Sequence, residues 1–235
     1  MQEPEDDRSI AAVIARALAE RIIAGDIPPE ASLRQDHIAA EFSASHVPVR
    51  EAFRRLEAQG LLVAVPRRGV RVAPITPDAV VEVTKMRAAL EVLALRDAIP
   101  RLGPDDLSAA RRAQAEIAAS REIGAWEAAN RRLHRALVAP CAMPRLLAAI
   151  DDLHRASARY LFATWRDLDW QPRSNDEHRV LLEAVTVRDV DEAARVLESH
   201  ITGAGLALAA TVRPSAAAAS QESRKTSAPP RTETR

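Results

Sequence analysis

Residues 46–59 read His-Val-Pro-Val-Arg-Glu-Ala-Phe-Arg-Arg-Leu-Glu-Ala-Gln, and Gly60 follows. Val49, Ala52, Phe53 and Leu56 recur at i, i+3, i+4 and i+7, the spacing of one apolar helix face. That face turns inward and leaves His46, Val47, Arg50 and Arg54 outward. Ser45 is placed to cap the helix, and Pro48 is tolerated because first-turn amides have no intrahelical partner. Upstream, Ile10, Val13, Ile14, Ala17, Leu18 and Ile22 predict a first helix that Gly25 and Pro28-Pro29 stop. A short second helix is expected at Gln35–Phe42, burying Ile38, Ala39 and Phe42. Downstream, Val63 and Val65, then Val70 and Val72, alternate around the turn Pro66-Arg67-Arg68-Gly69. Alternation with a turn between predicts a two-stranded hairpin. Three helices followed by a basic ribbon make a winged helix-turn-helix.

In that architecture the start of the third helix enters the major groove, so His46, Val47 and Arg50 would meet base edges, with Arg54 beside them. Arg67 and Arg68 at the wing tip would meet phosphate or the minor groove. Over the whole chain 33 basic residues balance 33 acidic ones, but residues 8–75 hold ten Arg against seven Asp or Glu. Only Lys85 and Lys225 are lysines, and guanidinium suits bidentate contacts to phosphate and guanine. A solvated face with Glu51 and Arg55 paired at i, i+4 is the plainer reading of any single arginine here.

The remainder reads as all-helical. Thr76-Pro77-Asp78 opens a long helix expected to end at Ile99, and further helices are expected at Pro104–Arg121, Ala125–Ala139 and Pro144–Asp167. Ser174…Glu177 and Asp189…Glu192 have capping-box spacing and should open two more, the last ending near Val212. The expected organisation is a disordered 1–8, a DNA-binding unit at 9–75, a helical unit at 76–213 and a disordered tail at 214–235. The longest membrane-like run, Gly203–Val212, spans ten residues against the roughly 18–20 a membrane helix needs. With an acidic, polar N-terminus and a lone cysteine, Cys141, a cytoplasmic protein is expected. Cys141 itself is expected to be packed rather than reactive.

Within the second unit, Asn130 and His134 lie four apart on one helix face. His178 and His200 stand equally far from the turn at Asp189, so an antiparallel fold-back sets them level, each about 16 Å from that turn. Three imidazoles and an amide oxygen can then converge on a divalent ion, zinc or nickel by donor type. Without metal, the same residues would line an organic-ligand pocket. His37 and His154 fall outside the pattern and are expected at the surface. Arg87, four residues before Glu91, reads from its spacing as half of a surface ion pair.

The runs Leu33-Arg34-Gln35-Asp36-His37-Ile38-Ala39, Pro48–Glu57, Gly60-Leu61 and Pro66-Arg67-Arg68-Gly69 resemble the GntR family of regulators. The helical unit resembles its FCD, or FadR-like, branch. The resemblance implies a two-fold operator, a homodimer and a small organic-acid effector, and adds Arg34, Ser45 and Gly69 to the DNA-contacting set. It implies as well that Arg87 faces the effector cavity, where a guanidinium could clamp a carboxylate; Arg159 and Trp165 are further effector candidates. It also implies a metal site in which an Asp precedes the first His by four residues, where this chain has Asn130. Ser43 stands where the family usually has Gly, and His46 where it usually has Arg. Ser43 is strained by about 1–2 kcal/mol if its φ is positive. Two other functions fit the sequence: a metal-dependent hydrolase, and a constitutive DNA-binding protein without effector.

Overall fold

The computed structural model describes residues 9–65, 69–164 and 171–212. Residues 1–8, the tail from 213, the wing tip with Arg67 and Arg68, and Trp165 lie outside the described residues. Three helices come first: α1 (Ile10–Ala24), α2 (Gln35–Glu41) and α3 (His46–Ala58). Ser9 caps α1 by accepting from the Ala12 amide, and Gly25 ends it at φ 85°. The expected face of α3 is its buried face, with Val49, Ala52, Phe53 and Leu56 at most 3% exposed. Together with Ile14, Leu18, Ile38 and Leu62 they form one core.

The expected ribbon is in fact a three-stranded sheet. Strands β2 (Leu62–Val65) and β3 (Gly69–Val72) pair antiparallel, with Val63 opposite Arg71. The additional strand β1 (Ser32–Leu33) pairs with the other edge of β3, in the order β1-β3-β2. Two residues show no alternation, so β1 has no period to read. The turn between α2 and α3 does place Ser43 at φ 50°, the left-handed region that glycine adopts without penalty.

Six longer helices follow: α4 (Pro77–Ala98), α5 (Pro104–Ala119), α6 (Ile123–Val138), α7 (Pro144–Thr164), α8 (Gln171–Thr186) and α9 (Val190–Thr211). Thr76 caps α4 through the Ala79 amide, and Asp189 caps α9 through the Glu192 amide. Helix α8 departs from expectation. It begins a turn earlier than its supposed cap, with Pro172 in the first turn where proline is tolerated, so Ser174 lies inside the helix and is fully buried. Between α8 and α9, Arg188 takes φ 59° and donates to the Ile99 and Leu102 carbonyls at 2.7 and 2.9 Å. Those bonds satisfy backbone acceptors after α4 and hold a non-glycine residue in a left-handed turn.

Leu95, Ile99, Ile117, Leu133, Leu137, Ile150, Leu181 and Leu197 form the core of this bundle. Helices α4 and α9 approach closely: a Cβ on Gly205 would fall 2.1 Å from Thr84 Oγ1. Helix α7 also packs on α1, and Arg159 from α7 donates to the Ala73 carbonyl in the segment joining β3 to α4.

Candidate effector and metal centre

Five helices, α4 and α6 to α9, bring polar side chains into the middle of the bundle. Glu91 on α4 is 0% exposed and is the hub. Its Oε1 accepts from Arg87 Nε at 2.9 Å and lies 3.2 Å from His154 Nε2. Its Oε2 is 2.7 Å from His134 Nδ1. Burial alone would raise the pKa of Glu91. Arg87 first, then His154 and His134, outweigh that and hold the carboxyl well below the usual range. An ionised Glu91 fixes the neighbouring tautomer: His134 donates from Nδ1 and turns its Nε2 lone pair inward.

His200 on α9 repeats the arrangement. Its Nδ1 is 2.9 Å from Glu177 Oε2, which frees Nε2 to face His178 Nε2 at 3.1 Å. Burial lowers the pKa of all four histidines and keeps them neutral, His178 most strongly. One ligand atom from each of His134, His178 and His200 lies within 4.8 Å of the others. His134 Nε2, His178 Nδ1 and Asn130 Oδ1 are buried and have no hydrogen-bond partner among the described residues. Neutral imidazoles, inward lone pairs and carboxylates behind two of the rings fit a divalent cation.

Beside this cluster opens a narrow cleft, lined by Arg87, Glu127, Asn130, His154, Ser174 and His200 among others. Arg87 is 9% exposed and also donates from Nη1 to Ser157 at 3.0 Å. Its pairing with Glu91 is therefore real, but it is buried rather than at the surface. His37 is exposed as expected. His154 is not at the surface: it continues the buried stripe Leu147, Ile150, His154, Ala158 on α7, a helical spacing that the sequence carries. Arg159 is buried too, but its Nη2 donates to the Ala73 carbonyl and it does not line the cleft. The sequence presents Glu91 only as a helix-surface residue and Glu177 only as a capping residue, since linear spacing does not reveal a partner on another helix.

In the α1–β3 unit, Arg34, Ser45, His46, Val47, Arg50, Arg54 and Gly69 are all exposed. Ser45 stands at the N-cap of α3 without bonding to it, so its hydroxyl is available. Asp36 lies 3.8 Å from both Arg34 and His46.

Residues 10–72 match the model of the gntR family of bacterial regulatory proteins, and residues 82–203 match the FCD domain. The chain is an FCD-domain member of the GntR family. It is 28% identical over 198 residues to the transcriptional repressor GlaR of Escherichia coli, covering 79% of this chain and 90% of that one. To the Nta operon transcriptional regulator of Aminobacter aminovorans it is 28% identical, covering 74% and 82%. A GntR-family crystal structure from Pseudomonas syringae superimposes with TM-score 0.54 at 30% identity, covering 96% and 90%. Escherichia coli McbR shares the fold with TM-score 0.70 at 22% identity, covering 83% and 94%. These are transcription regulators, so this GntR member is a DNA-binding regulator and the hydrolase alternative falls. No described helix is long and apolar enough to cross a membrane.

Proposed function

We propose that a small carboxylate effector, held in the cleft by a divalent cation and Arg87, sets the affinity of the α1–β3 unit for a two-fold operator. The chain then works as a homodimer in the cytoplasm, with units 9–75 and 76–213. His134, His178, His200 and Asn130 hold the cation, zinc or nickel, which supplies a positive centre for a carboxylate oxygen. The observation that carries this reading is the buried, unpartnered Nε2 of His134, fixed inward by Glu91 and close to His178 and His200.

An effector shifts only what it binds differentially. Helix α7 provides the difference: Ser157 touches Arg87 on the cleft side, while Arg159 grips the Ala73 carbonyl on the other. A carboxylate that takes Arg87 from Ser157 changes how α7 sits against the linker to the DNA-binding unit.

Elemental analysis of untagged protein tests the cation. His134→Ala should carry no metal, while Asn130→Asp, which restores a charged oxygen ligand, should bind it more tightly than the parent. Because burial lowers the imidazole pKa values, proton competition should weaken metal binding only below pH 6.5. No metal in the parent or in Asn130→Asp after soaking with zinc and nickel would leave a purely organic pocket.

A further inference from the structure

One charge that lines the cleft is held only loosely by the chain. Arg87 is matched by Glu91, and the four histidines are neutral. Glu127 on α6 lines the same cleft and is 9% exposed. The cation paired with it is Arg131, whose Nε lies 3.8 Å from Oε1, beyond hydrogen-bond reach, and whose side chain is 44% exposed. Glu127 makes no hydrogen bond among the described residues. Burial raises its pKa, the expected response of a carboxylate short of partners. From α8, Ser174 lines the cleft with 0% exposure and an Oγ that has no partner among the described residues.

Buried polar groups are nearly always bonded, and exceptions beside a cavity point to what fills it. An ionised carboxylate can only accept, so its missing partner is a donor. Glu127 precedes Asn130 by three residues, about 4.5 Å along the axis of α6. One turn of helix between them leaves room for a short acid, with its carboxylate toward Asn130 and Arg87 and its donor toward Glu127.

Resting on the reading of this cleft as an effector site, we propose that the effector is a short amino or hydroxy acid whose ammonium or hydroxyl donates to Glu127, with Ser174 as a second polar contact. Glu127 is then the residue that separates such acids from plain carboxylates.

Two matched sets of probes test this by calorimetry on the full chain: succinate, malate and aspartate, then propionate, lactate and alanine. In at least one set a donor-bearing member should bind about ten- to a hundredfold more tightly than the plain acid, the usual worth of a hydrogen bond to a charged group. Glu127→Leu should erase that preference. Glu127→Gln should erase it for the amino acids and keep part of it for the hydroxy acids. Equal binding of plain and donor-bearing acids overturns the proposal and leaves the carboxylate reading standing, as does a preference that survives in Glu127→Leu. A second measurement needs no ligand. Because the chain holds Glu127 only through Arg131 at 3.8 Å, Glu127→Gln should raise the melting temperature of the ligand-free protein. A fall of several degrees would make Glu127 a structural partner of Arg131 and overturn the proposal even if none of the six probes binds.

Discussion

The outward face of α3 and the polar cluster around Glu91 are both rich in charge, but they hold it differently. On α3, His46 and Arg54 have side chains 62% and 70% exposed, and their nearest carboxylates stand 3.8–4.0 Å away. Around Glu91 the partners stand 2.7–3.2 Å away and the hub is 0% exposed. Water holds the first set ready for a phosphate or a base edge. The protein itself must hold the second set, so its members depend on one another. The difference teaches that recognition of DNA and recognition of a small molecule place opposite demands on a charged side chain.

Removing the hub should give the largest effect. Glu91→Ala leaves Arg87 buried without a counter-charge and His134 without its acceptor, and should cost about 3–5 kcal/mol in urea denaturation. A loss below about 0.5 kcal/mol, the usual range for an exposed site, would show that burial makes no difference between the two regions.

Acid should come next. The folded pKa values of His134, His154, His178 and His200 lie below 6.5, so between those values and 6.5 the unfolded chain binds protons that the folded chain does not. Stability is then fully present above pH 6.5 and falls as pH drops below it. Glu91, also depressed, adds a further loss in more acidic solution. Denaturation midpoints from pH 8 to 5 check this; a flat profile would mean the imidazoles are not buried neutral.

The smallest effect on folding belongs to Arg50. Arg50→Ala should leave stability within about 0.5 kcal/mol of the parent. It should still weaken operator binding by about 1–3 kcal/mol if Arg50 reads a guanine. Unchanged affinity at matched salt would remove α3 as the reading helix.

Much of the fold was legible because it is written locally. The apolar spacing in α1 and α3, the cap at Thr76, the stops at Gly25 and Gly60, and the turn at Ser43 each involve residues within a few positions of one another. Strand β1 is hidden because two residues have no period, and the start of α8 at Gln171 is masked because Ser174…Glu177 imitates a cap. Within the site, His134, His178 and His200 could be grouped from helical spacing and a fold-back. His154 could have been added from its stripe with Leu147 and Ile150.

By itself the sequence determined the helices, the winged-helix order and the outward residues of α3, since backbone periodicity and capping act over a turn or two of chain. Only the tertiary structure decided what Glu91, Glu177, Arg159 and Glu127 do. A carboxylate on a helix looks alike in sequence whether it faces water, an imidazole 43 residues away or a cleft. Packing chooses among these, because the cost of burying a charge is set by which partners other helices bring within about 3 Å.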